Sequence, residues 1–415
     1  MKTQISGRVR GIVWLCALVY FASYLLRNNF AVMLVKVCAD LSLAKSTLAV
    51  VVTAQTILYG TGQVINGVLG DRISPRTMLA GGLSLAVLCN VAMFFAQSVW
   101  VMTLIWAING FAHAMLWPPI LRLFASHLSE DEFSYGVLRV NWASSFATIA
   151  MYLFCPLLLK AVSWRVVMLL FALMGAIIVT LWITLSPRFL GASKRAQEDR
   201  EIAPVQPHKP LPRYVWLPAA LIMVGILAMG MLRDGVTNWT PSFLLESFGM
   251  GEENAIFTTV VLAIFSVIAF YFFDLLQRKL LKNEVFCAAV IFFASAIAAI
   301  GLYFVNRFLS SAVPATLLMA LIVAGTHGIN LMLISLVPKR FANSGKVSTF
   351  SGIFNAFTYI GAAISTYGFA AIAEGFGWSV TIIIWAVIAL IGVAVTLIAT
   401  PLWRRFRREY AEIKE

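Results

Sequence analysis

Two arginines of this 415-residue chain lie inside long apolar stretches, where a positive charge is costly. Arg27 stands in the segment YFASYLLRNNF, and Arg233 stands in the segment MLRDGVTNWTP. An arginine at the centre of a bilayer-spanning helix costs about 2.5–3.5 kcal/mol on insertion scales, so such a residue is by default a candidate for function. Its guanidinium carries a planar fork of donors that fits a phosphate or a carboxylate. The two arginines therefore indicate binding of a small anion.

Neighbouring side chains favour the same interpretation. Tyr20, Tyr24 and Arg27 follow i, i+4, i+7 spacing, so they share one helix face and bring two hydroxyls beside the guanidinium. Among the 18 acidic residues, Asp234 alone is predicted to be clearly interior. Because adjacent residues do not face each other on a helix, we expect Asp234 not to pair with Arg233. The scarcity of interior carboxylates favours exchange of anions over proton symport, although Asp234 leaves symport open.

The composition excludes soluble classes of protein. Hydrophobic residues make up 61% of the chain and charged residues 12%, which is too little charge to cover a soluble fold of this size. A soluble enzyme, a nucleic-acid-binding protein and a disordered scaffold are thereby excluded. The five cysteines lack metal-ligand spacing, and the sequence contains neither a phosphate-binding glycine loop nor a hydrolase constellation. We therefore predict a protein that is not an enzyme and that uses no cofactor and no metal.

Twelve apolar runs predict an all-α membrane protein, since a bilayer-spanning helix needs about 20 apolar residues. The runs cover residues 11–38, 46–70, 78–97, 99–124, 135–158, 165–186, 214–245, 255–276, 285–305, 312–337, 347–372 and 379–402. The polar stretch 187–213 predicts a cytoplasmic linker between an N-terminal six-helix bundle over 1–186 and a C-terminal one over 214–415. Arg27 and Arg233 occupy similar depths in the first run of each half. The bundles are therefore predicted to be pseudo-symmetric, with a substrate site between them.

Basic residues predict the orientation of the chain. If the N-terminus is cytoplasmic, the cytoplasmic segments hold 22 lysines and arginines and the opposite segments hold five. Such a bias predicts that both termini are cytoplasmic. We expect a multi-pass protein of the inner or plasma membrane, embedded in lipid and monomeric.

The segment GVLGDRISPR, over residues 67–76, combines glycines, an acid and arginines between the second and third runs. Glycines allow helices to approach closely, and the charged groups can join helix ends by charge-assisted hydrogen bonds. The segment resembles the loop signature of the major facilitator superfamily, which implies the major facilitator fold and a role in gating. A degenerate copy in the second half keeps an acid and a basic pair. The predicted gating residues are Asp71, Arg72, Arg76, Arg122 and Asp274.

Further motifs narrow the resemblance. The segments YLLRNNF (24–30), WPP (117–119), WTP (239–241) and PKR (338–340) are similar to those of the organophosphate:phosphate antiporter family, and the likeness covers nearly the whole chain. The resemblance implies exchange of a glycerol phosphate or hexose phosphate for inorganic phosphate. It assigns phosphate binding to Arg27 and Arg233 and pocket lining to Tyr20, Tyr24 and Tyr59.

Three positions depart from the family pattern. A lysine right after the first arginine is replaced by Asn28, a lysine of the second helix by Gln63, and a histidine three residues after Asn141 by Ser144. Each change removes a cationic or titratable group. The substrate therefore either carries less charge than glycerol-3-phosphate or meets a different cation.

Other polar residues in the apolar runs are further candidates for the pocket. Arg139 either faces the cavity or reaches the inner surface, and His327 either lines the pocket or makes an interhelical hydrogen bond. Asn355 and Tyr359 share a helix face. The predicted substrate-binding set is Arg27, Arg233, Tyr20, Tyr24, Tyr59, Gln63, Asn141, Ser144, Asn355, Tyr359, His327 and Arg139.

These observations predict a secondary transporter that exchanges a phosphorylated small metabolite for inorganic phosphate by alternating access. Two like charges in the empty carrier oppose its reorientation, so exchange is predicted to be obligatory. A proton-coupled symporter of organic anions, with Asp234 as the coupling acid, is one alternative. A transporter-like sensor of sugar phosphate is another, because one pocket can serve all three functions.

Overall fold

The computed structural model describes residues 5–190, 209–309 and 311–411, and within them the chain is all-helical apart from short connections. The first half contains α1 (Gly7–Leu41), α2 (Lys45–Gly70), α3 (Pro75–Phe95), α4 (Val99–Ala114), α5 (Trp117–His127), α6 (Glu130–Ala161) and α7 (Trp164–Leu190). The second half contains α8 (Trp216–Phe248), α9 (Glu252–Leu276), α10 (Glu284–Phe308), α11 (Ala312–Asn330), α12 (Val347–Phe376) and α13 (Trp378–Glu409). A π-helical turn, Gln277–Leu281, extends α9, and irregular helical turns extend α11 to Ser344.

Twelve helical stretches in the described residues are long and apolar enough to cross a membrane, which confirms the predicted all-α membrane fold with twelve transmembrane helices. Helices α4 and α5 together form one of these spans, Val99–His127. Large apolar side chains lie exposed on the helix surfaces, for example Leu104 at 60% and Ile268 at 61%. Such residues suit a surface covered by lipid rather than water.

The chain divides into two compact units. The first comprises Met1–Lys209 and Ser344–Ile353, and the second comprises Pro210–Asn343 and Phe354–Glu415. The opening residues of α12 thus belong to the first unit, a detail that the predicted boundaries at 186 and 214 do not contain. Most of the predicted linker, residues 191–208, lies outside the described residues.

Local sequence explains where several helices begin. The Ser74 hydroxyl accepts a hydrogen bond from the Thr77 amide (3.2 Å), and Pro75 occupies the first helical position of α3. Ser129 and Glu132 form a capping box at the start of α6. The Asn283 side chain accepts from the amides of Val285 (3.0 Å) and Phe286 at the start of α10. These side chains satisfy amides that lack a partner within the helix.

Prolines break the fourth span. Pro118 and Pro119 stand in the first turn of α5, directly after the break at residues 115–116 that ends α4. The break turns Trp117 toward α1, where its ring lies 5.3 Å from the ring of Tyr20. The WPP segment (117–119), which is part of the family resemblance, thus changes the local direction of an aromatic side chain.

Glycines let the helices that carry the candidate site approach closely. A Cβ on Gly110 of α4 would lie 2.2 Å from the backbone oxygen of Gln55 on α2. In the second unit, a Cβ on Gly230 of α8 would lie 2.3 Å from the backbone oxygen of Thr358 on α12. Both contacts involve backbone, which cannot move aside like a flexible side chain. Each glycine therefore permits a helix crossing close to one of the two arginines.

We predict that Gly110→Ala destabilises the protein by about 1–3 kcal/mol, because the added methyl overpacks the contact between α2 and α4. The midpoint of thermal unfolding in detergent measures this effect. The matched control is Gly81→Ala in α3, where the nearest atom to the added Cβ lies at 3.9 Å. Equal midpoints for the two variants would contradict the close approach.

Candidate functional site

Arg27 lies on α1 among aromatic rings and a side-chain amide. Its guanidinium carbon lies 4.5 Å from the ring centroid of Tyr24 and 4.6 Å from that of Tyr59 on α2. Its Nε donates to the side-chain oxygen of Asn28 at 3.3 Å. The ring of Tyr20 lies 5.2 Å from that of Tyr24. The structure thus brings together the three tyrosines that the sequence placed around the first arginine, and ring faces stabilise the cation.

A network of buried amides holds α1 at the level of Arg27. Gln55 on α2 donates to the backbone oxygen of Arg27 at 2.7 Å and to the side-chain oxygen of Asn109 on α4 at 3.0 Å. Asn29 donates to the Asn90 side chain on α3 at 2.7 Å. The sequence prediction did not include these positioning residues. The signal that could have found them was the presence of Gln and Asn side chains inside the apolar runs.

Three further candidate pocket residues lie on α6 and α2. Asn141 and Ser144 on α6 hydrogen-bond to backbone oxygens of their own helix, at 2.9 Å and 2.7 Å. Gln63 on α2 is fully buried, and neither atom of its amide has a hydrogen-bond partner in the described part of the chain. A buried amide in that state is costly, which makes Gln63 a candidate for contact with water or a ligand.

Arg139 and His327 are engaged by their own helices. The Arg139 guanidinium lies 3.5 Å from the ring centroid of Tyr135 and 5.6 Å from that of Trp142. His327 Nδ1 donates to the backbone oxygen of Val323 at 2.9 Å, since a carbonyl can only accept. These contacts fix both side chains in place without connecting them to an anion.

The second arginine pairs with its neighbour in sequence, contrary to the prediction. Arg233 Nε donates to Asp234 Oδ1 at 2.6 Å, and Nη2 donates to Oδ2 at 3.1 Å. The prediction considered only the directions in which adjacent Cβ atoms point. The long arginine side chain curls back and reaches the carboxylate despite that divergence. The pair is partly open, with 18% of the Arg233 side chain and 28% of the Asp234 side chain exposed.

One aromatic residue of α12 lies near this pair. The Tyr359 ring centroid lies 6.0 Å from the Arg233 guanidinium carbon, at the limit of a cation–π contact. Asn355, one turn earlier on the same helix, is buried. The close crossing at Gly230 and Gly361 keeps this part of α12 against α8.

The prediction that Asp234 alone is clearly interior is also wrong. Glu284 at the start of α10 is fully buried and accepts from Arg340 Nε (3.0 Å) and Trp403 Nε1 (3.1 Å), with Arg407 Nε 3.5 Å away. Asp274 is buried beside Arg278. Both acids lie at helix ends, where the apolar runs gave no sign of burial.

The pattern of the Major Facilitator Superfamily matches residues 16–366. The chain belongs to the Major Facilitator Superfamily. The resemblance to this superfamily and to its organophosphate carriers is thereby confirmed, and the fold and family are those of transporters.

This facilitator has low sequence identity to its relatives, but the similarity extends over most of each chain. It is 26% identical over 370 residues to the glycerol-3-phosphate transporter of Bacillus subtilis, covering 83% of this chain and 81% of that protein. It is 22% identical over 376 residues to the membrane sensor protein UhpC of Salmonella typhimurium, covering 85% and 82%. The proton:xylose symporter XylE has the same fold, with a TM-score of 0.72 and 14% identity over 96% of both chains.

Asp71, in the loop after α2, caps the start of α12 within the first unit of this facilitator. Its carboxylate accepts from the amides of Ser348 and Thr349, both at 2.9 Å, and from the Thr349 hydroxyl at 2.6 Å. Arg122 donates to the backbone oxygens of Gly70 and Ile73, the latter at 2.9 Å. Burial raises the pKa of the Asp71 carboxyl, and these hydrogen bonds and the Arg122 charge oppose that rise.

The other predicted gating residues lie elsewhere. Arg72 is exposed, and Arg76 donates to the backbone oxygen of Ile183 on α7 at 3.2 Å. Asp274 pairs with Arg278 one turn later. The structure therefore joins Asp71 and Arg122 around one loop, whereas Arg76 contacts α7 and Asp274 contacts Arg278. Within the described residues, no group of three or more His, Cys, Asp or Glu side chains could hold a metal ion.

We predict that Asp71→Asn lowers the thermal unfolding midpoint in detergent, at a cost of about 1.5–3 kcal/mol. The asparagine side chain lacks the negative charge to which the backbone amides of Ser348 and Thr349 donate, and its NH2 group faces other donors. Asp40→Asn is the control, because Asp40 forms a more exposed pair with Lys36 at 3.2 Å. The losses of stability in Asp71→Asn and in Thr349→Val should not add up in the double variant, because the two residues contact each other. Simple additivity of the two losses would contradict the contact.

Proposed function

We propose that this facilitator exchanges a phosphorylated small metabolite, of the sugar phosphate or glycerol phosphate type, for inorganic phosphate by alternating access. The phosphate of both substrates is bound by Arg27 of the first unit and Arg233 of the second. We also propose that the protein lies in the inner or plasma membrane as a monomer with both termini cytoplasmic. This orientation puts most lysines and arginines of the loops and termini on the cytoplasmic side.

The observation that carries the proposal is the environment of Arg27. A guanidinium inside a membrane span lies over two tyrosine rings, and its Nε–H donates a hydrogen bond to the side-chain oxygen of Asn28. Tyrosine hydroxyls and a guanidinium fork together provide the donors that a phosphate oxygen requires. The amides of Gln55 and Asn109 hold the helix backbone at this point, so the donors are pre-positioned.

The relatives support a phosphorylated substrate. The Bacillus subtilis relative is a glycerol-3-phosphate transporter, and its similarity extends over four fifths of both chains. The pairing of Asp234 with Arg233 removes one reason for obligatory exchange. Since the Asp234 carboxylate neutralises Arg233, repulsion between two bare arginines no longer explains why exchange would be obligatory. The case for exchange rests on the family resemblance and on the phosphate-binding chemistry of the arginines.

We predict that Arg27→Lys and Arg233→Lys each reduce phosphate exchange at least about 100-fold while leaving the folded protein intact, because lysine lacks the planar fork. Uptake of labelled phosphate into phosphate-loaded proteoliposomes measures the effect. Arg10→Lys, an exposed change at the start of α1, serves as the control. Near-normal exchange in either test variant would refute the assigned role.

Two alternative functions are each favoured by one observation. The carboxylate of Asp234 beside Arg233 favours a proton-coupled symporter of organic anions, since a membrane carboxylate can carry a coupling proton. The match to the membrane sensor protein UhpC favours a sensor of external sugar phosphate.

For the proposed exchange, we expect phosphate uptake to require phosphate inside the vesicle and to persist with an uncoupler present. Uptake that collapses with the uncoupler and ignores internal phosphate would indicate the symporter. Ligand binding without flux would indicate the sensor.

A further inference from the structure

Asp234 occupies the donors that the proposed function assigns to a substrate phosphate. Both oxygens of its carboxylate accept from the Arg233 fork, at 2.6 Å and 3.1 Å. This bidentate geometry is the one in which a guanidinium binds a phosphate. An anion that uses Arg233 must therefore displace or share a carboxylate already in place.

The charge of the pair decides how strongly an entering anion is attracted. An ion pair has no net charge, and the repulsion from Asp234 grows with each charge that the anion carries. In a partly buried site, two unit charges about 4 Å apart interact by several times the thermal energy. Because the attraction of Arg233 and the repulsion of Asp234 nearly cancel, a second negative charge on the substrate gains little at the pair, while it adds to the cost of removing the anion from water.

Two other polar groups of the second unit lie near the pair. On α12 the Tyr359 ring centroid lies 6.0 Å from the Arg233 guanidinium carbon, and on α11 the ring of His327 donates from Nδ1 to its own helix. In the first unit, Arg27 is followed by the neutral Asn28. Arg139 stacks on Tyr135 of its own helix. Within the second unit, the Arg233–Asp234 pair thus presents no net charge to an anion.

We propose that Asp234 is a specificity-determining residue that makes the carrier select singly charged anions over doubly charged ones. The inference rests on the proposed phosphate-binding function and narrows its substrates to anions with one charge, so that a sugar phosphate or glycerol phosphate monoester is preferred as its monoanion over its dianion. The substrate class that fits is a small phosphodiester, or another phosphorylated compound whose phosphorus group carries one charge. Asp234 acts on the substrate through its hold on Arg233 and through direct repulsion.

Methyl phosphate and dimethyl phosphate test this inference, because they differ by one methyl group and one charge. At about pH 8 the monoester is a dianion, since its second pKa is near 6, and the diester is a monoanion. Each compound is titrated as an inhibitor of labelled phosphate exchange in proteoliposomes, and as a ligand that raises the unfolding temperature of the purified protein. The quantity compared is the ratio of the two inhibition constants.

We expect dimethyl phosphate to bind more tightly than methyl phosphate in the natural protein. Asp234→Asn should shift the ratio at least about tenfold toward methyl phosphate, because the amide removes one charge at nearly constant shape. Asp234→Glu, which keeps the charge, and Asp40→Asn, which removes an acid on α1, should leave the preference unchanged. A natural protein that prefers the dianion, or a folded Asp234→Asn protein with an unchanged ratio, would overturn the inference.

The two readouts separate this inference from the proposed function. Phosphate exchange with an unchanged ratio in Asp234→Asn overturns only the role of Asp234. Charge-selective binding without exchange overturns only the transport reaction. A natural protein that binds neither compound and exchanges no phosphate overturns both. The ratio in the natural protein needs no variant, so it decides the inference even if Asp234→Asn does not fold.

Discussion

A guanidinium inside a membrane span must be solvated by the protein, because lipid offers neither water nor counter-ions. The two central arginines of this chain meet that constraint in different ways. Arg27 lies over the rings of Tyr24 and Tyr59 with an amide oxygen at its Nε. Arg233 is held by both oxygens of a carboxylate. The halves of the chain thus present arginines at similar sequence depth with unequal chemistry, and an anion would experience them differently.

The scaffold around Arg27 is built from buried amides. Gln55, Asn90 and Asn109 hydrogen-bond between helices that are otherwise apolar, and Gly110 lets two of those helices approach closely enough for the bonds to form. A buried amide is costly unless it is bonded, so the network specifies one arrangement of α1 to α4. Small residues and amides on α2, α3 and α4 together position the arginine, and the sequence immediately around Arg27 does not identify these residues.

The acidic residue at the end of the second helix of each half makes different contacts in the two halves. Asp71 accepts three hydrogen bonds from the start of α12, whereas Asp274 pairs with Arg278 on the next turn. The first copy of the motif keeps Gly67 and Gly70, against which the α12 backbone and Ser348 pack at distances that leave no room for a larger residue. The second copy lacks those glycines. Loss of close approach therefore accompanies the change from a capping contact to a local ion pair.

The sequence by itself determined the twelve spans and the membership of a transporter superfamily, because apolar length and loop motifs are local properties. It also placed the tyrosines with Arg27, since helical spacing is enough to put Tyr20 and Tyr24 on one face. It failed for Arg233, where the reach of a flexible side chain overrode the direction of its Cβ. Burial of Glu284 and the Gln55 network likewise depended on residues far apart in the chain. Only the tertiary structure decided those contacts, because hydrogen bonds between helices depend on how the helices cross and rotate, which no single span encodes.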